Sequence, residues 1–114
     1  MRRMLMLSAV TRANRHGVMR EIDDAAVSCG GWIEGHTLFS NVAATFRFVL
    51  PAGGLEAFAA RIAAAGLQLD GAGLAALSKR VASAAADDEL PGALAVTFVH
   101  DEPDLRREIP AVPG

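Results

Sequence analysis

The chain has 114 residues, of which 52% are hydrophobic and 21% are charged, and its formal net charge is −2. A chain of this length commonly forms one domain, and this apolar content is enough for a packed core. So small a negative charge gives no field that would attract nucleic acid or an anionic membrane surface. We therefore expect one domain spanning residues 1–114, with no nucleic-acid and no membrane partner.

The only cysteine is Cys29, so no disulfide can form within the chain and nothing indicates an oxidising compartment. Residues 4–10 form a short apolar run, but Thr11 and Arg12 follow it where a signal peptide would have small residues. No run approaches the length of a membrane span. These features predict a cytoplasmic protein.

The first third of the chain predicts a strand, a loop and a helix. The apolar run of residues 4–10 precedes a polar loop, which is typical of a buried strand, and we expect the strand near residues 3–10. The helix is expected over residues 16–28. Its apolar face is formed by Val18, Ile22, Ala25, Ala26 and Cys29. Gly30 and Gly31 are expected to end it.

The middle of the chain predicts a hairpin and a second helix. Residues 32–40 and 42–50 form the strands of the hairpin, and Pro51 with the following glycines ends the second one. The helix is expected over residues 54–65, and Gly66 closes it. Its buried stripe is formed by Leu55, Phe58, Ala59 and Ile62. Residues 67–69 form a possible very short strand.

The last third predicts a further helix, a further strand and an extended tail. Leu74, Leu77 and Val81 have helical spacing, and an acidic turn follows at residues 87–89. Residues 94–100 alternate in the manner of a strand. Residues 67–69 and residues 94–100 are both candidates for the fourth strand of the sheet. Because the alternation in residues 94–100 is longer, we expect that segment to form the more extensive pairing. Three prolines after residue 102 keep the tail from being helical.

The order of these elements predicts an α+β fold of the ferredoxin-like type. Such a fold has a βαββαβ order, an antiparallel sheet and its helices on one face; here a C-terminal helix and strand are added. Two segments resemble the ACT domain family. Asn14-Arg15-His16-Gly17-Val18 resembles the family's sequence before its first helix, and residues 28–34 (SCGGWIE) resemble its helix end and second strand. The resemblance covers about residues 4–70, and residues 71–114 form an extension.

The resemblance implies a regulatory module that binds an amino acid, similar to the paired ACT domains of bacterial glycine-cleavage repressors. We expect it to bind an amino acid or a similar small carboxylate and to act through a homodimer. An alternative is a ligand-free module for oligomerisation or protein interaction. Alanine-rich packing and open sheet edges favour a homodimer in either case. A free amino acid that raises the melting temperature would separate the two hypotheses.

The ligand-binding residues that we predict are Asn14, Arg15, His16 and Gly17. The start of a helix offers backbone amides and the positive end of the helix dipole, and Gly17 permits close approach of a ligand to the backbone. Arg15 adds positive charge and Asn14 both donates and accepts hydrogen bonds. A plainer interpretation is that Asn14 caps the helix and Gly17 only permits the turn.

The sequence also contains candidate metal ligands and one candidate nucleophile, but neither indicates an enzyme. His100, Asp101, Glu102 and Asp104 form the densest group of possible metal ligands, with His36 as a further candidate, but they lack a known metal-binding spacing. We predict no metal and no cofactor. Cys29 could act as a nucleophile beside a histidine, but its place on an apolar helix face favours a structural role.

Aromatic residues are few, and they do not favour RNA binding. Phe46 and Phe48 are placed as in RNA-binding ferredoxin-like domains, but residues 4–10 contain no aromatic partner for them. Trp32 begins a strand beside two glycines, and we interpret it either as a core residue or as an interface anchor. No acid–base pair stands out. The prediction is therefore a protein that is not an enzyme.

Overall fold

The computed structural model describes residues 4–40 and 42–99. In this part the chain forms an α+β fold with a mixed five-stranded sheet and three helices. The strands are β1 (Leu5–Thr11), β2 (Trp32–Ser40), β3 (Ala43–Pro51), β4 (Leu67–Leu69) and β5 (Glu89–Phe98). The helices are α1 (Arg15–Ser28), α2 (Leu55–Ala64) and α3 (Gly71–Ser83), and a short 3₁₀ turn, Ala52–Gly54, precedes α2.

The sheet has the strand order β2-β3-β5-β1-β4, so β5, the last strand in the described part of the chain, lies at its centre. β5 runs antiparallel to β3 and parallel to β1. The prediction of an antiparallel sheet is therefore wrong for this central pair, because the connection from β4 through α3 returns the chain in the direction of β1. Both candidate segments for the fourth strand are in the sheet. β4 pairs briefly with β1 at an edge, whereas β5 pairs along its length with two neighbours, as expected for the longer segment.

One face of the sheet is covered by all three helices. Leu5, Leu7 and Ala9 of β1 point into this layer, and Gly73 lets α3 approach β1 so closely that an added Cβ would lie 3.2 Å from Leu7 Cδ2. The predicted buried stripes of α1 and α2 are confirmed, whereas in α3 Leu77 is buried but Leu74 is 39% exposed. The buried apolar side chains of the helices are Val18, Ile22, Ala25, Ala26, Leu55, Phe58, Ala59, Ile62 and Leu77. Helix amphipathicity thus accounts for the covered face.

Glycines end the first two helices, as predicted. Gly30 and Gly66 have φ angles of 93° and 100°, a backbone conformation that side chains with a Cβ rarely adopt. After α1, the Gly31 N–H donates to the Ala26 carbonyl over 2.9 Å, which gives the helix end a bonding pattern of the Schellman type. Gly31 then lies directly against the backbone of β3 at Val49. The turn thereby places β2 beside β3.

The other face of the sheet is not covered by any described segment of this chain. We call this surface the open face; it is formed by Met6, Ser8 and Val10 on β1, Ala93, Ala95 and Thr97 on β5, Thr45, Arg47 and Val49 on β3, and Trp32, Gly35 and Thr37 on β2. The expectation that residues 4–10 form a buried strand is right for one side of β1 and wrong for the other. Met6 is 61% exposed and Val10 is 46% exposed, because β1 alternates between the two faces.

Candidate functional site

The predicted ligand loop lies at the end of the sheet where β1 and β5 finish and β3 begins. Thr11, the last residue of β1, is level with Phe98 near the end of β5, and Thr97 is level with Ala43 at the start of β3. The loop that leads into α1 therefore starts at this end. The turn at Gly66 reaches the same place, because it is hydrogen-bonded to Thr11.

Thr11 holds these segments together. It is a buried polar residue whose hydroxyl donates to the Gly66 carbonyl over 2.8 Å and accepts from the Ala13 N–H over 3.1 Å. Its carbonyl accepts from the Val99 N–H over 2.8 Å. One side chain and its own backbone thus connect the loop before α1, the turn after α2 and the end of β5. No sequence pattern predicts this role, since a threonine at the end of a strand has the appearance of an ordinary polar residue.

Asn14 caps α1. Its backbone is extended, and its Oδ1 accepts from the His16 N–H over 2.9 Å and from the Gly17 N–H over 3.3 Å. Two of the helix-start amides that we expected a ligand to use are therefore already bonded to Asn14. The capping interpretation of Asn14 is confirmed. A ligand that used these amides would have to displace the side chain.

The remaining predicted site residues lie on the first turn of α1. Arg15 is half-buried, whereas His16 and Gly17 are exposed. Gly17 does not adopt a positive φ angle, so the turn does not require glycine there. An added Cβ at Gly17 would meet no heavy atom within 4 Å. The backbone at Gly17 is thus open to solvent or to a ligand. The structure is therefore compatible with close approach of a ligand at Gly17, but not with a turn that needs glycine.

A cleft of about 520 Å³ lies beside the predicted loop. It is lined by residues 10–13, Gly66, Gln68 and Val99, so it adjoins Asn14 without including any of the four predicted residues. Arg12 supplies a cationic side chain to its lining, and Gln68 supplies an amide. Sequence reasoning missed both. Their positions follow a simple rule, since the carboxyl ends of two parallel strands, β1 and β5, meet here, and ligands of open sheets commonly bind at such ends.

The other chemically interesting residues are placed apart from this cleft or outside the described part. His100, Asp101, Glu102 and Asp104 lie outside the described residues. Within residues 4–40 and 42–99, no group of three or more His, Cys, Asp or Glu side chains could hold a metal ion. His36 instead contacts the ring of Phe46, with 5.8 Å between ring centroids.

Two further expectations concern single residues. Cys29 is half-buried and packs against the core at the end of α1, in agreement with a structural role. Phe46 and Phe48 are 2% and 1% exposed on the helix-covered face, so they offer no surface on which a base could stack. Trp32, by contrast, is 42% exposed on the open face. It is not a core residue, and the interface-anchor interpretation is the one that agrees with its position.

Compared with models of known protein families, with curated proteins and with solved structures, the chain matches none of them. None of the helices in the described part of the chain is long and apolar enough to cross a membrane.

Proposed function

We propose that the chain is a small ACT-like regulatory module that binds an amino acid or a similar small carboxylate and acts in the cytoplasm as a homodimer. The observation that carries the proposal is the cleft at the shared end of β1 and β5, which adjoins the loop that resembles the family's ligand loop. Its volume of about 520 Å³ lies within the usual range for small-molecule sites. The ferredoxin-like assignment belongs to the same proposal: β2, β3, β1 and β4 keep that fold's order, with β5 inserted between β3 and β1.

Positive charge supports a carboxylate as the ligand. Arg12 lines the cleft, and Arg15 stands one residue beyond Asn14 at the positive end of the α1 dipole. A carboxylate in the cleft beside Arg12 would form charge-assisted hydrogen bonds, which are stronger than neutral ones. Gln68, on the other side of the cleft, has an amide oxygen that can accept from an ammonium group.

A thermal-shift screen of the amino acids tests the proposal. A ligand present at a hundredfold excess over its Kd stabilises the folded state by about 2.7 kcal/mol, which is measurable as a rise in Tm. The ligand's Kd is then measured by calorimetry on the unchanged chain and on variants. No rise in Tm with any amino acid or small carboxylate would contradict the proposal.

Two variants locate the site once a ligand is found. Arg12→Gln is expected to weaken binding about tenfold to a hundredfold, because it removes one charge-assisted hydrogen bond. Gly17→Leu is expected to abolish binding if the ligand also lies on the first turn of α1. Gly71→Leu is the matched control, because Gly71 also begins a helix with no heavy atom within 4 Å of an added Cβ. Unchanged affinity in both Arg12→Gln and Gly17→Leu would place the ligand elsewhere.

A second candidate function is a ligand-free interaction module. The open face of the sheet favours it, since exposed apolar side chains on a sheet commonly mark a surface that another protein covers. Absence of any ligand in the screen, together with a stable homodimer, would favour this alternative over the first.

A further inference from the structure

The open face carries large apolar side chains and almost no charge. Arg47 is the one charged member of the set that defines this face, and its guanidinium lies along the sheet over Gly35, with Nη2 2.6 Å from the position of an added Cβ. Met6, Val10 and Trp32 are each more than 40% exposed. Depletion of charge with aromatic, methionine and arginine side chains is the composition found at the centre of protein interfaces.

Residue size gives the open face a definite relief. Small side chains occupy its middle, where Ser8 on β1 is level with Ala95 on β5, and Ala95 is level with Thr45 on β3. Larger side chains surround this trough: Met6 and Val10 lie on either side of Ser8 along β1, and Arg47 lies next to Thr45 along β3. Trp32 and Val49, where β2 pairs with β3, are the next pair on this face beyond Arg47. A trough between two ridges can receive a ridge of an identical surface.

The edges of the sheet are less suited to pairing with another chain. β4 has three residues, so one edge offers few backbone groups. β2 has nine residues, but its pairing with β3 is interrupted between Ile33 and Gly35 and again between Leu38 and Ser40. Short edge strands and bulges are the devices by which proteins prevent edge-to-edge association.

We propose that the open face is the interface of the homodimer and that a second copy of this chain covers it, sheet against sheet. This inference rests on the proposed function only in assuming that a homodimer forms, and it does not depend on a ligand. At ordinary strand spacing the tract across β1, β5, β3 and β2 measures roughly 20 Å by 25 Å. Two copies would together bury roughly 1,000 Å², the size at which specific interfaces begin.

A homodimer brings the same trough and ridges to both sides of a two-fold axis. Ridge-into-trough packing then fills the space about 10 Å between two sheets packed face to face. Arg47 does not oppose this arrangement, because its guanidinium lies toward β2, away from the trough at Ala95. The open face can therefore receive a second copy without a rearrangement of Arg47.

The central test is Ala95→Glu, measured by light scattering after gel filtration and by analytical ultracentrifugation. The unchanged chain is expected to elute at about twice its mass of 11.9 kDa. Each copy of Ala95→Glu would place a long, charged side chain in the trough, where it takes the space that the partner's side chains need and carries charge into the interface, so the dimer Kd is expected to rise about a hundredfold or more. Ala76→Glu is the matched control, because Ala76 is exposed on α3 on the opposite side of the sheet, and it is expected to leave the Kd unchanged.

Trp32 provides a readout that needs no variant. It is the only tryptophan of the chain and lies on the open face. Its emission is expected to shift to longer wavelength when the unchanged protein is diluted through the dimer Kd, because dissociation exposes the ring to water. This measurement decides the matter even if Ala95→Glu fails to fold.

Several results would overturn the inference. They are a monomer at high micromolar concentration, a dimer whose Kd is unchanged in folded Ala95→Glu, and Trp32 emission that does not change as the dimer dissociates. Phe39 is 67% exposed on the edge strand β2. A dimer that Phe39→Lys disrupts and Ala95→Glu does not would show association through the β2 edge instead. If no ligand is found but the chain forms a dimer that Ala95→Glu weakens, only the proposed ligand is contradicted. If a ligand binds but the chain is a monomer, only this inference is contradicted.

Discussion

The two faces of the same sheet differ in what covers them, although the strands contribute apolar side chains to both. On the covered face, Leu5 and Leu7 of β1 are 2% exposed, beneath the helix layer. On the open face, Met6 of the same strand is 61% exposed. A strand with one solvated face usually alternates apolar with polar residues. β1 carries Met6 and Val10 on its open side, so a second layer there would bury apolar side chains that water otherwise contacts.

The two faces also differ in the space that surrounds their glycines. Gly92 on β5 lies directly beneath the ring of Phe48, and the ring occupies the space that a Cβ at Gly92 would need. Gly35 on β2 faces the other way, and the nearest atom to its added Cβ is the end of the flexible Arg47 side chain. The covered face is therefore fixed by close packing, whereas the open face can adjust.

The largest expected effect comes from emptying the covered face. Phe48 is 1% exposed and contacts Phe58, with 5.2 Å between ring centroids, so Phe48→Ala should lower the free energy of unfolding by about 3–5 kcal/mol. Urea unfolding at a protein concentration well below the dimer Kd measures this, because the monomer alone then unfolds. Met6→Ala on the open face is the control, with an expected loss of less than about 1 kcal/mol in the monomer. Equal losses would remove the distinction between the faces.

An intermediate effect is expected from adding one methyl group to each face. Gly92→Ala should destabilise the chain by about 1–3 kcal/mol, because Phe48 must leave its position or the strands must separate. Gly35→Ala should change stability by no more than about 0.5 kcal/mol, because Arg47 can rotate away. Thermal unfolding of the two variants side by side measures the contrast. A Gly35→Ala variant as unstable as Gly92→Ala would mean that the open face is rigidly packed.

The smallest expected effect weakens the helix layer without touching either face. Asn14→Ala removes the cap of α1 and should cost about 1 kcal/mol, because the amides of His16 and Gly17 lose their acceptor. Asn14→Asp keeps an acceptor at the same place and should unfold near the unchanged chain. Circular dichroism during urea unfolding measures both. A loss in Asn14→Asp as large as in Asn14→Ala would show that Asn14 acts through something other than capping.

Local periodicity was enough to predict the helices and the hairpin. The stripe that includes Val18 and Ile22 and the stripe that includes Phe58 and Ile62 are buried as expected, and Gly30 and Gly66 end their helices. Such features depend on residues a few positions apart. Which strands become neighbours depends on residues far apart in the chain, and alternation in residues 94–100 does not say that β5 enters between β1 and β3.

The candidate site was predictable only in outline. The first turn of α1 was expected at the right place, but the cleft beside it is formed by Gly66, Gln68 and Val99, which come from three later elements or turns. Arg12 lies just before the predicted loop, and only the register of β1 with β5 brings it beside Val99. Sequence patterns identify the loop, whereas the tertiary pairing determines the cavity.

The central position of β5 has a consequence for how the chain folds. β1 and β3 do not pair with each other; both wait for a strand that begins at residue 89. Register pairs such as Leu5 with Gly92 join residues about three-quarters of the chain length apart, and contacts of this kind form slowly because a long loop must close first. During synthesis the hairpin and α2 can form while two inner strand edges stay unpaired, and such edges readily pair with other chains. Production of the last strand thus completes the sheet and removes its most aggregation-prone surfaces in one step.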